Sequence, residues 1–216
     1  MRTYNVRGVD IHLIDNCGGP EEIFNDNYKI FDKGLSFKPD DIIIDIGANV
    51  GFFSIMMAKI FPQVKVFAFE PMSLNINKLR QNIALNNLTN IAYLDCAITN
   101  TTGMVRILYD DIDLGGSSSY VVNNGVRNET MAISYTLDDI FEMFQIQKCR
   151  LLKIDCEGAE YEILYNTKVL PQIDTVVGEF HMNDILREKG YDWNKLAEYV
   201  GKYSNMMFYE WCYMAQ

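Results

Sequence analysis

Asp41-Ile42-Ile43-Ile44-Asp45-Ile46-Gly47-Ala48-Asn49-Val50-Gly51 is the stretch that decides the fold. Its isoleucine run reads as a strand, because β-branched residues suit a pleated sheet and an apolar run without alternation suits a strand covered on both faces. Gly47 and Gly51 bend the chain into a helix. About 20 residues later, Phe67-Ala68-Phe69-Glu70-Pro71 reads as a second strand that ends in a lone carboxylate. A strand, a glycine turn at a helix start and an acid at the next strand tip form a grip for a nucleotide ribose. Glu70 is the group to accept hydrogen bonds from two adjacent ribose hydroxyls, each charged bond worth roughly 1.5–3 kcal/mol.

The turn chemistry narrows the ligand. A dinucleotide fingerprint needs Gly at the first, third and sixth positions of the turn. Gly47 fits the first, but Asn49 and Phe52 stand at the other two, so NAD and FAD are excluded. No Gly-Lys-Ser/Thr ending follows, which excludes a phosphate-binding P-loop. The spacing Asp45-x-Gly47-x-Asn49-x-Gly51 is similar to the first motif of class I methyltransferases, which use S-adenosylmethionine. Glycine lets the backbone approach a ligand at φ values a side chain resists, and Asn tolerates such φ better than most residues.

At 216 residues the chain is long enough for one full core, and its 49% apolar content is that of a globular domain. No apolar run reaches a membrane span, and Met1-Arg2-Thr3-Tyr4-Asn5-Val6-Arg7 lacks the apolar stretch of a signal peptide. The expected location is cytoplasmic. Five cysteines without a C-x-x-C pair read as reduced thiols. The net charge is −10 and no Lys/Arg cluster occurs, which opposes a nucleic-acid partner.

The organisation reads as α/β: a doubly wound, Rossmann-like, mostly parallel sheet, with an N-terminal extension and a β-hairpin/loop insertion between the third and fourth strands. Residues 1–38 form the extension, a hairpin at Val6–Ile14 and a helix at Pro20–Phe31. Residues 39–216 form the main domain. Its strands are expected at Asp41–Ile46, Lys65–Phe69, Ile91–Cys96, Leu151–Asp155 and Thr175–Phe180. Helices are expected at Gly51–Phe61, Ser73–Asn86, after Ala159 and at Trp193–Val200. Gly103–Tyr109 and Met131–Tyr135 read as strands flanking a Gly/Ser-rich loop, Asp110–Asn128, long enough to close over a substrate. Thr136-Leu137-Asp138-Asp139 reads as a capping box opening a short helix. Met206–Met214 reads as an apolar closing strand, with a dimer surface as the alternative.

Three segments together, Asp45–Gly51, Glu70-Pro71 and Lys153-Ile154-Asp155-Cys156-Glu157-Gly158-Ala159-Glu160, resemble the FkbM-type methyltransferases. Thr136–Asp139 also resembles that family, and the likeness covers roughly residues 38–182. The resemblance implies O-methylation of a hydroxyl on a sugar, glycolipid, polysaccharide, polyketide or other small acceptor, with S-adenosylmethionine as cofactor. In doubly wound sheets the ligand lies outside the carboxyl ends of the strands. Asp45, Gly47, Ala48, Asn49 and Gly51 are then expected to cradle the methionine part, and Glu70 the ribose. Pro71 and Met72 flank the adenine, with Asp95, Cys96 and Ala97 at its other edge unless the last two are strand-end packing.

Methyl transfer to an alcohol calls for a base, and Asp155, Glu157 and His181 are the candidates. His181 has an ordinary pKa suited to proton uptake near neutrality, or it is a hydrogen-bonded structural histidine. Asp155 alternatively binds the cofactor's amino group. These three could also hold a divalent metal, but none is predicted. Glu160 reads as structural, an acid in the first turn of a helix. Two readings compete with a small-molecule or glycan O-methyltransferase: an enzyme acting on RNA or protein, and a non-catalytic domain that binds S-adenosylmethionine.

Overall fold

The computed structural model describes residues 1–14, 20–109 and 128–209, with side chains through residue 205. Most of the loop expected at Asp110–Asn128, and the end of the Met206–Met214 segment, therefore lie outside the described residues. An N-terminal hairpin, β1 (Arg2–Val6) and β2 (Val9–Leu13), is followed by a one-turn helix, α1 (Glu21–Phe24). The core then alternates: β3 (Ile42–Ile46), α2 (Phe52–Ile60), β4 (Lys65–Phe69), α3 (Ser73–Leu85), β5 (Ile91–Leu94). Next come β6 (Ala97–Ile98), β7 (Gly103–Tyr109), β8 (Asn128–Tyr135) and α4 (Leu137–Met143). The chain continues through β9 (Leu151–Ile154), α5 (Glu160–Asn166), β10 (Thr175–Glu179), α6 (Asp184–Glu188), α7 (Trp193–Val200) and β11 (Asn205–Tyr209).

Six strands form one sheet in the order β11-β10-β9-β3-β4-β5, every neighbouring pair parallel. The chain runs outward from β3 to β5, then returns to β9 on the other side and runs outward again to β11. This reversal puts a topological switch point beside β3, where doubly wound folds bind ligands. The expected insertion is a separate three-stranded sheet, β6-β8-β7, between β5 and β9. The expected closing strand begins at Asn205 and adds in parallel to β10.

Alternation along β3 assigns the two faces. Ile44 and Ile46 join Leu152, Ile154 and Val176 in a core covered by α4, α5 and α7. Ile43 joins Val66, Ala68, Leu151 and Val177 in a second core under α2 and α3. The N-terminal segment enters that second core through Val6, Ile11, Leu13, Tyr28 and Ile30. It is also tied to α3: Asn86 Oδ1 accepts from the His12 N–H at 2.9 Å, and Asn82 Oδ1 accepts from the Ile14 N–H at 2.9 Å. Among the described residues no helix is long and apolar enough to cross a membrane.

The helix expected over Pro20–Phe31 stops after one turn. The reason is Asp26, a buried residue in the left-handed region at φ 65. Its carboxylate accepts from the N–H groups of Ile30, Phe31 and Asp32 at 2.7–2.9 Å, a local alternative that outcompetes helix continuation. The capping box is formed as the spacing predicts: Thr136 Oγ1 accepts from the Asp139 N–H, and the Asp139 carboxylate accepts from the Thr136 N–H. Asp26→Ala leaves three donors in need of partners, and urea unfolding is expected to show a loss of about 2–3 kcal/mol.

Candidate active site

The turn after β3 owes its shape to close packing. Gly47 has φ 73, and a Cβ there would stand 1.8 Å from the carbonyl oxygen of Asp155. Gly51 has φ 93, and a Cβ there would stand 2.2 Å from Leu79. Asn49 is left-handed at φ 50, the residue other than glycine best suited to that region. The N–H groups of Gly47 and Ala48 both donate to the carbonyl of Phe69 at 3.0 Å, which fastens the turn to the end of β4.

Glu70 meets the turn from β4. It is 5% exposed. Its Oε2 accepts from the Asn49 N–H at 2.8 Å, and its Oε1 accepts from the Met72 N–H at 3.0 Å and the Asn75 amide at 3.2 Å. A carboxylate has about four lone-pair sites, so Oε2 retains room for a further donor. Burial raises its pKa to about 7 against the pull of those three donors and of Lys153. A ligand that brought hydroxyl donors would relieve this unmet charge.

Asp45 lies elsewhere than expected. It is wholly buried, its Oδ2 accepts from Ser54 Oγ at 2.6 Å and its Oδ1 is 3.2 Å from Lys153 Nζ. It therefore supports the turn from beneath and does not line it. The register causes this, since Asp45 and Lys153 are Cα partners on β3 and β9 and share a face. Lys153 Nζ also donates to the Gly47 carbonyl at 2.8 Å and lies 3.5 Å from Asp155 Oδ2. Burial pulls its pKa down, but Asp45 and Asp155 outweigh that and hold it well above the usual lysine value. The motif was legible as a run, but the ammonium at its centre carried no sequence signal of this role.

The three catalytic candidates meet. Asp155, Glu157 and His181 each offer a ligand-type atom within 4.8 Å of the others. His181 is 6% exposed, with Nδ1 3.1 Å from Glu160 Oε1 and Nε2 3.5 Å from Glu157 Oε2. Burial alone would lower its pKa, yet the bond and charge of Glu160, with Glu157 and Asp155, raise it to about 10. This departs from the ordinary imidazole expected from sequence: the surrounding acids favour the protonated ring near neutral pH. Glu160 is wholly buried and accepts from the N–H groups of Cys156 and Gly158, so it orients the site as well as opening α5.

Burial raises Glu157 to about 7 and Glu179 to about 7. Glu179 was missed from sequence, although it ends β10 only two residues before His181. Its Oε2 lies 3.9 Å from His181 Nε2. Tyr28 was also missed. The N-terminal segment brings its hydroxyl to donate to Asp155 Oδ2 at 3.2 Å, a contact between residues 127 apart in the chain.

Of the expected adenine neighbours, Pro71 is half-buried and Met72 is buried. Asp95 is exposed at the end of β5. Cys96 packs in the core with Ile98 and Phe69, whereas Ala97 packs with Met72. Cys96 is thus strand-end packing, 1% exposed.

A parallel sheet with a glycine turn, an acid on the neighbouring strand and a rim of acids at the switch point defines a class I methyltransferase fold. The solved precorrin-6y C5,15-methyltransferase of Geobacter metallireducens GS-15 shares that fold, with a TM-score of 0.50 at 13% identity over 88% of this chain and 77% of that one. The model of the methyltransferase FkbM domain matches residues 45–207, and the chain belongs to that family. Relatives include methyltransferase sdnD of Sordaria araneosa, 30% identical over 67% of this chain and 66% of that protein. The 31-O-demethyl-FK506 methyltransferase FkbM of Streptomyces tacrolimicus is 28% identical over 74% and 72%. The hexuronic acid methyltransferase AglP of Haloferax volcanii is 26% identical over 66% and 56%. The chain thus spans slightly under two thirds of the length of sdnD and just over half that of AglP.

Two stability measurements follow. Lys153→Met strands the buried Asp45 carboxylate, and urea unfolding is expected to show a loss of about 3–5 kcal/mol. For Glu70 the folded pKa of about 7 exceeds the unfolded 4.5, so the folded state binds the extra proton in that window and loses stability as pH rises through it. Glu70→Gln lacks this titration. Its stability relative to wild type is expected to improve by about 3 kcal/mol between pH 4.5 and pH 8, in unfolding curves taken at both.

Proposed function

We propose that this chain transfers the methyl group of S-adenosylmethionine to a hydroxyl of a sugar-containing or other small hydroxylated acceptor. The observation that carries the reading is Glu70: a buried carboxylate that accepts from the Asn49 N–H, at the lip of a turn that no Cβ could enter at Gly47. That arrangement fits a nucleoside with two ribose hydroxyls. The backbone of Gly47, Ala48, Asn49 and Gly51 would hold the amino-acid end, and Pro71, Met72 and Asp95 would border the base. When bound, the cofactor supplies an electrophilic methyl on a sulfonium.

The chain's own residues do the rest. Lys153 fixes the turn, so the bound methyl would have one position, and alignment of this kind can supply several kcal/mol. The acids at the strand ends create a negative rim suited to a sulfonium. An alcohol must lose its proton as the new bond forms, and a rim carboxylate is the acceptor for it. Glu179 is our choice: its side chain is 25% exposed, and it stands beside the cluster without being tied into it as Asp155 and Glu160 are. His181, oriented by Glu160, would steady the developing charge. The names of two relatives, a hexuronic acid methyltransferase and a 31-O-demethyl-FK506 methyltransferase, favour a small hydroxylated acceptor, and the net charge of −10 disfavours RNA. Free thiols at Cys96, Cys149 and Cys156 support a reducing, cytoplasmic setting.

The test is methyl transfer from isotope-labelled cofactor into fractionated extract. Label is expected in a glycan or small-molecule fraction. Glu70→Ala is expected to weaken cofactor binding by about 10- to 100-fold. Glu179→Gln is expected to lower kcat by about 100-fold with cofactor affinity kept. Label in RNA or protein would overturn the acceptor class. Tight cofactor binding with no label anywhere would make the chain a binding module.

A further inference from the structure

We propose that Asp155, Glu157 and His181 bind a divalent cation of the Mn²⁺ type at the acceptor side of the cofactor turn. The inference rests on the methyltransferase reading only for what the cation does, and not for its binding.

The geometry comes first. One atom from each of the three residues lies within 4.8 Å of the other two. Oxygen ligands stand about 2.0–2.6 Å from Mg²⁺ or Ca²⁺, so two ligands on one ion are at most ~5 Å apart. The three residues come from the ends of neighbouring strands, β9 and β10, whose register the core fixes. A cation there needs little more than a rotamer adjustment of Glu157, whose side chain is 23% exposed.

The supporting groups come second. Metal-binding histidines almost always donate their other ring N–H to a carboxylate or carbonyl, which fixes the tautomer. Glu160 does this for His181: it already accepts two backbone N–H groups and faces Nδ1 at 3.1 Å, which leaves Nε2 directed at Glu157. Asp155 is anchored in the same way. Tyr28 and Lys153 both engage its Oδ2, and Oδ1 takes part in neither contact. His181 thus turns Nε2 to Glu157 with Nδ1 held behind it, and Asp155 has one carboxylate oxygen held by Tyr28 and Lys153.

Charge is the third argument. Asp155, Glu157, Glu160 and Glu179 converge here, while the cations beside them are His181 and Lys153, the latter shared with Asp45. A half-buried excess of carboxylate is matched by a divalent ion. Two carboxylate oxygens and one imidazole nitrogen suit a cation between the hard Mg²⁺ and the imidazole-preferring Zn²⁺, which is the place of Mn²⁺. On binding, the ion takes the place of the Nε2 proton, which passes to solvent. Its remaining positions would take oxygens of the acceptor, so the acceptor class favoured is a vicinal diol or a hydroxy acid that chelates. Glu179 stays outside the ligand set and free for the hydroxyl proton.

The experiment is a Mn²⁺ titration of the purified chain without cofactor or acceptor, followed by the electron paramagnetic resonance signal of free Mn²⁺. Wild type is expected to take up one ion per chain. Glu157→Gln, on a partly exposed side chain, is expected to weaken uptake by at least about tenfold with the circular dichroism spectrum unchanged. Asp155→Asn is expected to do the same. No uptake by wild type up to about 1 mM overturns the proposal, and so does equal uptake by wild type and Glu157→Gln, which would place the ion on surface acids. Transfer that proceeds in a chelator, with no Mn²⁺ bound, would remove the cation and leave the methyltransferase reading intact. A bound ion in a chain that methylates nothing would do the reverse.

Discussion

One buried ammonium organises this protein. Lys153 sits between two acids and two turn carbonyls, and almost none of it reaches solvent. Such a group is costly to bury unless every partner is in place. Its partners are the carboxylate near the end of β3, the carboxylate just after β9 and the turn that follows β3. The ammonium therefore couples the position of the glycine turn to the position of the acidic rim. Both halves of the candidate active site hang from one side chain.

That coupling explains why the two halves have different chemistry. On the β4 side a carboxylate is buried among backbone N–H donors, and burial raises its pKa to about 7. On the β10 side several carboxylates crowd a single imidazole, and the histidine answers by keeping its proton. Under the proposed function, the first half would take the hydroxyl groups of the nucleoside, and the second, negative half would suit its cationic sulfur.

The N-terminal segment belongs to this site physically. Tyr28 packs edge-on against Phe53 of α2 and reaches Asp155, while Asn82 and Asn86 of α3 hold the hairpin by its backbone. Nothing in the local sequence of Tyr28 announces this. Its partner is remote in the chain, and only the folding of the extension onto the α2 face joins them. Glu179 is a different kind of omission. It stood two residues before one that was chosen, but its closeness to His181 depends on how the chain turns after β10.

The sequence by itself determined the alternation of strands and helices, the glycine turn and the acid that faces it. Those features are written in local chemistry: isoleucine runs, positions that admit only small or left-handed residues, and a capping box. Tertiary structure decided which acids are tools and which are supports. Asp45 and Glu70 look alike in sequence, each an acid beside a strand end, yet the register with β9 buries one against an ammonium while the switch point opens the other to the crevice. Protonation was decided there too. The charge of His181, beyond β10, depends on three acids delivered by the segment after β9, and the field of a buried cluster is set by distance in space and not by distance along the chain.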